Sequence, residues 1–245
     1  MVSIQFFAWI LLILLLSTFL NALWRWSLPH LWLLVALWPG VVIHEMSHAV
    51  ACLITGAKIH EIKFFKAGGG YVIHEPSRIP VLGRIAISLA PLVGCTAALI
   101  TAHHFLGAPF RLRLDIEVPA ALAWPSLVVL GGEVARSVAH AWDALLGADF
   151  AAPRTWGFLY ALLSVCISLS PSRADLNHAS IALGILFGIF FLVEVFGFSI
   201  LETRWGTKGM DAVLEVLSMC GSALVTAIAA SLPLAIIVKL LRKST

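Results

Sequence analysis

The sequence predicts an all-α polytopic membrane protein of about six transmembrane helices, with a short β-hairpin after the second. Three observations predict this class. Hydrophobic residues make up 60% of the chain and charged residues 12%, at a mean hydropathy of +0.98. Soluble domains carry roughly a quarter charged residues, so an ordinary soluble fold is excluded. Apolar runs long enough to cross a hydrocarbon layer recur along the chain, separated by short polar turns. No stretch is long and charged enough to build a separate soluble core, so residues 1–245 are expected to form a single integral membrane domain in a lipid bilayer. The net charge of +3 is small and scattered and gives no case for nucleic acid as a partner.

Ile4 to Leu23 is the first expected crossing. It lacks a basic leader and a small-residue cleavage site, which predicts a retained helix, and Trp24, Arg25 and Trp26 after it suit a headgroup interface. Leu31 to Thr55 is the second, interrupted by Pro39 and Gly40, where a lost hydrogen bond predicts a kink upstream of His44. Residues 57–75 change character: Ile59, Ile62, Phe64 and Phe65 precede Gly68, Gly69 and Gly70, and Tyr71, Val72 and Ile73 follow, which predicts a hairpin.

Arg84 to Phe105 is the third crossing, containing Ala90, Pro91 and Gly94. Residues 107–153 are expected as an interfacial or re-entrant segment. In it Ala120 to Leu130 is short, is interrupted by Pro125 and ends at Gly131 and Gly132, and Glu133 to Leu146 reads as an amphipathic surface helix. Pro153 to Ser170 is the fourth crossing, stopped by Pro171, and Ala179 to Ile200 is the fifth. Val213 to Leu241 contains the sixth, after a surface turn around Asp211. Cys52, Cys95, Cys166 and Cys220 each fall in an apolar segment with no C-x-x-C spacing and read as packing residues.

The chemistry-bearing stretch is the second crossing, where His44, Glu45 and His48 stand as H-E-x-x-H. A helix places i and i+4 on one face, so both imidazoles can reach one metal ion, with the carboxylate beside them as a base. Ionisable groups at membrane depth are costly, and three in metal spacing point to function. The pattern predicts a Zn2+ site with His44 and His48 as ligands and Glu45 as the catalytic base.

Catalytic zinc usually takes three protein ligands and a water. Parity of crossings brings the end of the fourth helix, LSPSRADLNH, to the same side as His44 and His48, which makes Asp175 the candidate third ligand. An irregular segment at that depth is tolerable where it lines a wet, protein-enclosed cavity. Asp175 also suits an N-cap of the fifth helix, and His178, three residues on, is its rival as ligand. Glu194 lies about 30 Å further along a helix and reads as a packing carboxylate, and Arg173 as an interface cation. Lys58, Lys63, Lys66, Arg78, Arg84, Arg173, Lys239, Arg242 and Lys243 favour both termini on the cytoplasmic side of a cell membrane.

HEMSHAVACLITGAKI, the hairpin-like segment, a third helix with LAPLVG and the later aspartate together resemble the site-2 protease family of intramembrane zinc metalloproteases, over about residues 31–180. The resemblance implies zinc held by His44, His48 and Asp175, Glu45 activating a water, and cleavage of a membrane-embedded protein or peptide substrate. Here the aspartate stands in Ala174, Asp175, Leu176, Asn177, where the family usually has L-D-G. The third helix has Ala90 and Pro91 followed by Gly94, where the family often has G-P-x-x-N. Two other classes use the same residues: a non-catalytic metal-binding scaffold, which has no need of Glu45 as a base, and a small proton-relaying transporter, which lacks the expected paired broken helices.

Overall fold

The computed structural model describes residues 2–29, 33, 37–65, 70–107, 124–170 and 204–243, with scattered positions between 181 and 192. The protein is mostly helical with one small sheet: α1 (Val2–Ser27), α2 (Trp38–Ile54), β1 (Ile59–Lys63), β2 (Tyr71–His74), α3 (Pro80–Phe105), α4 (Trp124–Leu146), α5 (Pro153–Ser168) and α6 (Arg204–Lys243). Among the described residues, Phe6–Ser27, Val81–Phe105 and Lys208–Leu241 are long and apolar enough to cross a membrane. Helices α2 and α5, at 17 and 16 residues, fall short of the roughly 20 that a full span needs. The expected fifth crossing lies largely outside the described residues.

In lipid, helices associate through close packing and internal hydrogen bonds rather than through burial of apolar surface from water. The α1–α6 pair shows both. A Cβ on Gly221 would lie 2.7 Å from the Trp9 ring, so only glycine admits this approach. Trp24 Nε1 donates to Ser231 Oγ at 2.9 Å, and Lys239 Nζ donates to the Trp26 carbonyl at 3.0 Å. Leu20, Phe158, Leu162 and Leu224 fill the centre, while Leu11, Leu15 and Phe19 face outward.

These contacts also fix direction. Trp9 meets Gly221, Trp24 meets Ser231 and Trp26 meets Lys239, so α1 and α6 run in the same sense. The expectation that both termini lie on one side is thereby corrected: the two chain ends belong to opposite ends of the bundle. Counting six alternating crossings made α1 and α6 antiparallel, and packing decides otherwise. The cations are divided accordingly, with Arg25 and Lys239 at one end and Lys58, Lys63, Arg78 and Arg84 around the hairpin, so the charge bias no longer selects an orientation.

Helices α2 and α3 are antiparallel: Ser47 abuts Gly94, and Thr55 lies beside Gly83. Helix α5 begins near the C-terminal end of α3, where Phe158 meets His103, and has reached Gly40 of α2 by Ser164. It therefore runs in the same sense as α2, as the parity argument requires. The hairpin is antiparallel with Ile62 opposite Val72 and Lys63 opposite Tyr71, and an irregularity between Ile59 and Glu61. Lys63 pairs with Glu61, which also accepts from the Tyr71 hydroxyl at 3.1 Å.

Two boundaries differ from expectation. Helix α4 continues through Gly131 and Gly132 instead of ending there. Two interior glycines cost about 1 kcal/mol each relative to alanine, and the packing of α4 against α6 outweighs this. Helix α6 likewise passes through Asp211 without a turn. One exposed aspartate does not interrupt a helix whose following turns, from Leu217 to Ala230, are largely buried.

Candidate metal centre

Helix α2 begins where Leu37 leaves helical geometry at φ −114° and ψ 24°. Leucine cannot cap a helix and Pro39 carries no N–H, so the first turn depends on a neighbour. Ser164 of α5 supplies it. The Gly40 N–H donates to Ser164 Oγ at 2.8 Å, and the same hydroxyl donates to the Leu37 carbonyl at 2.9 Å. A Cβ on Gly40 would lie 2.0 Å from the Ser164 carbonyl oxygen, so the two backbones touch there.

One turn further on, His44, Glu45 and His48 are all buried, each about 7% exposed. The opposite face carries Val50, Leu53 and Ile54, which are exposed. The helix thus turns its ionisable residues inward and its aliphatic residues outward, the inverse of a soluble helix and the arrangement hydrocarbon requires.

Helix α3 orients His48. His48 Nδ1 lies 2.8 Å from the Ile87 carbonyl oxygen. A carbonyl only accepts, so Nδ1 carries the proton, and in the neutral ring the lone pair is on Nε2, which is buried. Metal-ligating histidines are held this way, by a hydrogen bond from the other ring nitrogen. The His44 and His48 rings are 5.1 Å apart between centroids, at 72°. Two imidazoles sharing one tetrahedral ion at about 2 Å would have centroids about 5 Å apart, so this pair fits a single ion.

Glu45 is met by the hairpin. A Cβ on Gly70 would lie 2.5 Å from Glu45 Cγ and 2.6 Å from Oε1, so the start of β2 rests directly on the carboxylate. The sequence showed Gly70 only as part of a turn. Ser164 and the Ile87 carbonyl left no motif to find, since one is a lone serine in an apolar helix and the other a backbone atom.

The structure thus brings together His44, Glu45 and His48. Among the described residues no group of three or more His, Cys, Asp or Glu side chains is arranged to hold a metal ion. Asp175, His178, Arg173 and Glu194 lie outside the described residues. Buried Cys52, Cys95, Cys166 and Cys220 form no disulfide.

Residues 8–108 match the family model described as Peptidase M50B-like. No curated protein and no solved structure matches the chain. The matched segment contains the buried H-E-x-x-H helix, the hairpin and the helix that orients His48, and the match over this part of the chain supports membership in the site-2 protease (M50) family.

Proposed function

We propose that the protein is an intramembrane zinc metalloprotease that hydrolyses peptide bonds of membrane-embedded proteins or peptides. The observation that carries this is the inward face of α2, where two imidazoles stand at single-ion separation with a buried carboxylate beside them. His44 and His48 would hold the ion, with Asp175 as third ligand. The arrival of α5 beside the first turn of α2 supports Asp175, because the chain leaving α5 starts within reach of that face. Zinc, when bound, acidifies a water and polarises the scissile carbonyl.

The remaining chemistry belongs to the chain. Glu45 takes a proton from the attacking water as oxygen bonds to the carbonyl carbon, then delivers it to the nitrogen as the C–N bond breaks. The Ile87 carbonyl keeps His48 in the ligating tautomer throughout. A substrate helix hides its amides in hydrogen bonds and must unwind locally before attack. The hairpin, seated on Glu45 through Gly70, supplies strand edges against which an extended segment can pair.

The bilayer is read as a cell membrane, crossed by α1, α3 and α6, with α2 and α5 packed among them. The test is Glu45→Gln in proteoliposomes with a membrane-spanning reporter peptide. Cleavage by the wild type, and its loss in E45Q with zinc still bound, is the expected result. Equal activity of the two proteins would refute the assignment of Glu45.

A further inference from the structure

An α-helical N–H at position i bonds to the carbonyl at i−4. In α3 the residue that would serve the Ile87 carbonyl is Pro91, which lies inside the helix and has no N–H to give. A proline ring also presses on the carbonyl four residues back and tilts it away from the helix axis. The one carbonyl that Pro91 both deprives and displaces is the one that accepts from His48 Nδ1, at 2.8 Å. Hydrocarbon offers no water to take up such a carbonyl, so a partner from a neighbouring helix is required.

We propose that Pro91 is a positioning residue of the metal centre: by vacating the Ile87 carbonyl it turns that oxygen to His48, fixes the proton on Nδ1 and presents Nε2 to the ion. This rests on the reading of His48 as a metal ligand. Close packing of α2 on α3 at Ser47 and Gly94 holds the two partners in register, because a Cβ on Gly94 would lie 2.0 Å from Ser47 Oγ. A backbone defect in one helix thereby becomes a hydrogen-bond acceptor for a side chain of another.

The test is Pro91→Ala, which restores the N–H and removes the ring. Zinc affinity is measured in detergent by competition with a chelating indicator. Affinity is expected to fall 10- to 100-fold, the range seen when a partner of a ligating histidine is lost. The thermal midpoint of the zinc-free protein should stay at or above that of wild type, because alanine suits a helix interior better than proline. A residue that merely shaped the fold would lose stability and affinity together.

A second readout does not involve metal. In zinc-free protein labelled with 15N-histidine, the His48 signals, assigned by their absence in His48→Gln, should show an Nδ1 proton in wild type and its loss in P91A. Pro91→Ser restores the same N–H and should behave alike, which keeps the test open if one variant folds poorly. Zinc affinity within twofold of wild type, or an unchanged His48 tautomer, overturns the proposal. Failure of wild type itself to bind zinc would instead overturn the metal reading, while the tautomer comparison would still judge the link between Pro91 and His48.

Discussion

Gly70→Ala tests how tightly the hairpin governs the Glu45 carboxylate, the proposed base. The added Cβ would sit 2.5 Å from Glu45 Cγ, 2.6 Å from Oε1 and 2.8 Å from Cδ. Carbon atoms in contact settle at about 3.5–4.0 Å, so the carboxylate or the strand must retreat by about 1 Å. A 1 Å misplacement of a catalytic group costs on the order of 10²-fold in rate, equivalent to about 2.7 kcal/mol of barrier. The assay is cleavage of a membrane-spanning reporter peptide in proteoliposomes, with kcat and KM separated and zinc content measured on the same samples. A fall in kcat of about 100-fold with zinc retained is expected. Glu45→Asp in the same background withdraws the carboxylate by one methylene and should cost less than it does in wild type, because the alanine methyl then has room. G70A with wild-type kcat and KM would refute the claim that the hairpin fixes Glu45.

Other outcomes follow from the same geometry. His44→Ala and Asp175→Ala should each lose the zinc that wild type carries, read as metal per chain by elemental mass spectrometry; zinc retained in D175A would move the third ligand, with His178 next. Ser164→Ala strands the buried Gly40 N–H and should cost about 1–3 kcal/mol, measured as a lowered thermal midpoint in detergent; an unchanged midpoint would mean the first turn of α2 does not depend on α5. Gly94→Ala should cost about 1–3 kcal/mol by overpacking against Ser47, and Ser47→Ala should recover part of it by removing the nearer atom. Deleting Gly68 to Gly70 should abolish cleavage of a membrane-spanning reporter; undiminished cleavage would dismiss strand addition.

Much of the fold is written in local patterns that need no tertiary information. Apolar runs of bilayer length define α1 and α3, β-prone runs around glycines define the hairpin, and prolines at 153 and 171 bracket α5. The i, i+4 spacing of His44 and His48 predicted that the two would share a face, and the structure buries both on one side of α2, because a helix alone fixes which of its residues share a face. The glycines at 131 and 132 misled because helix propensity is worth about 1 kcal/mol per residue and yields to packing.

The direction of α6 relative to α1 is a property of how Trp9, Trp24 and Trp26 seat on Gly221, Ser231 and Lys239, residues some 200 positions away, and charge counting along the chain does not reach it. The same holds inside the site. The sequence supplied the two histidines and the proposed base, but the contact of Gly70 with Glu45, the clamp of Ser164 on Gly40 and the hydrogen bond from His48 to Ile87 each join separate elements. Sequence determined which residues are candidates to carry chemistry, since that depends on side-chain type and helical period. Tertiary structure decided their tautomer, seating and enclosure, because those depend on backbone atoms of other helices, which carry no residue-specific signal.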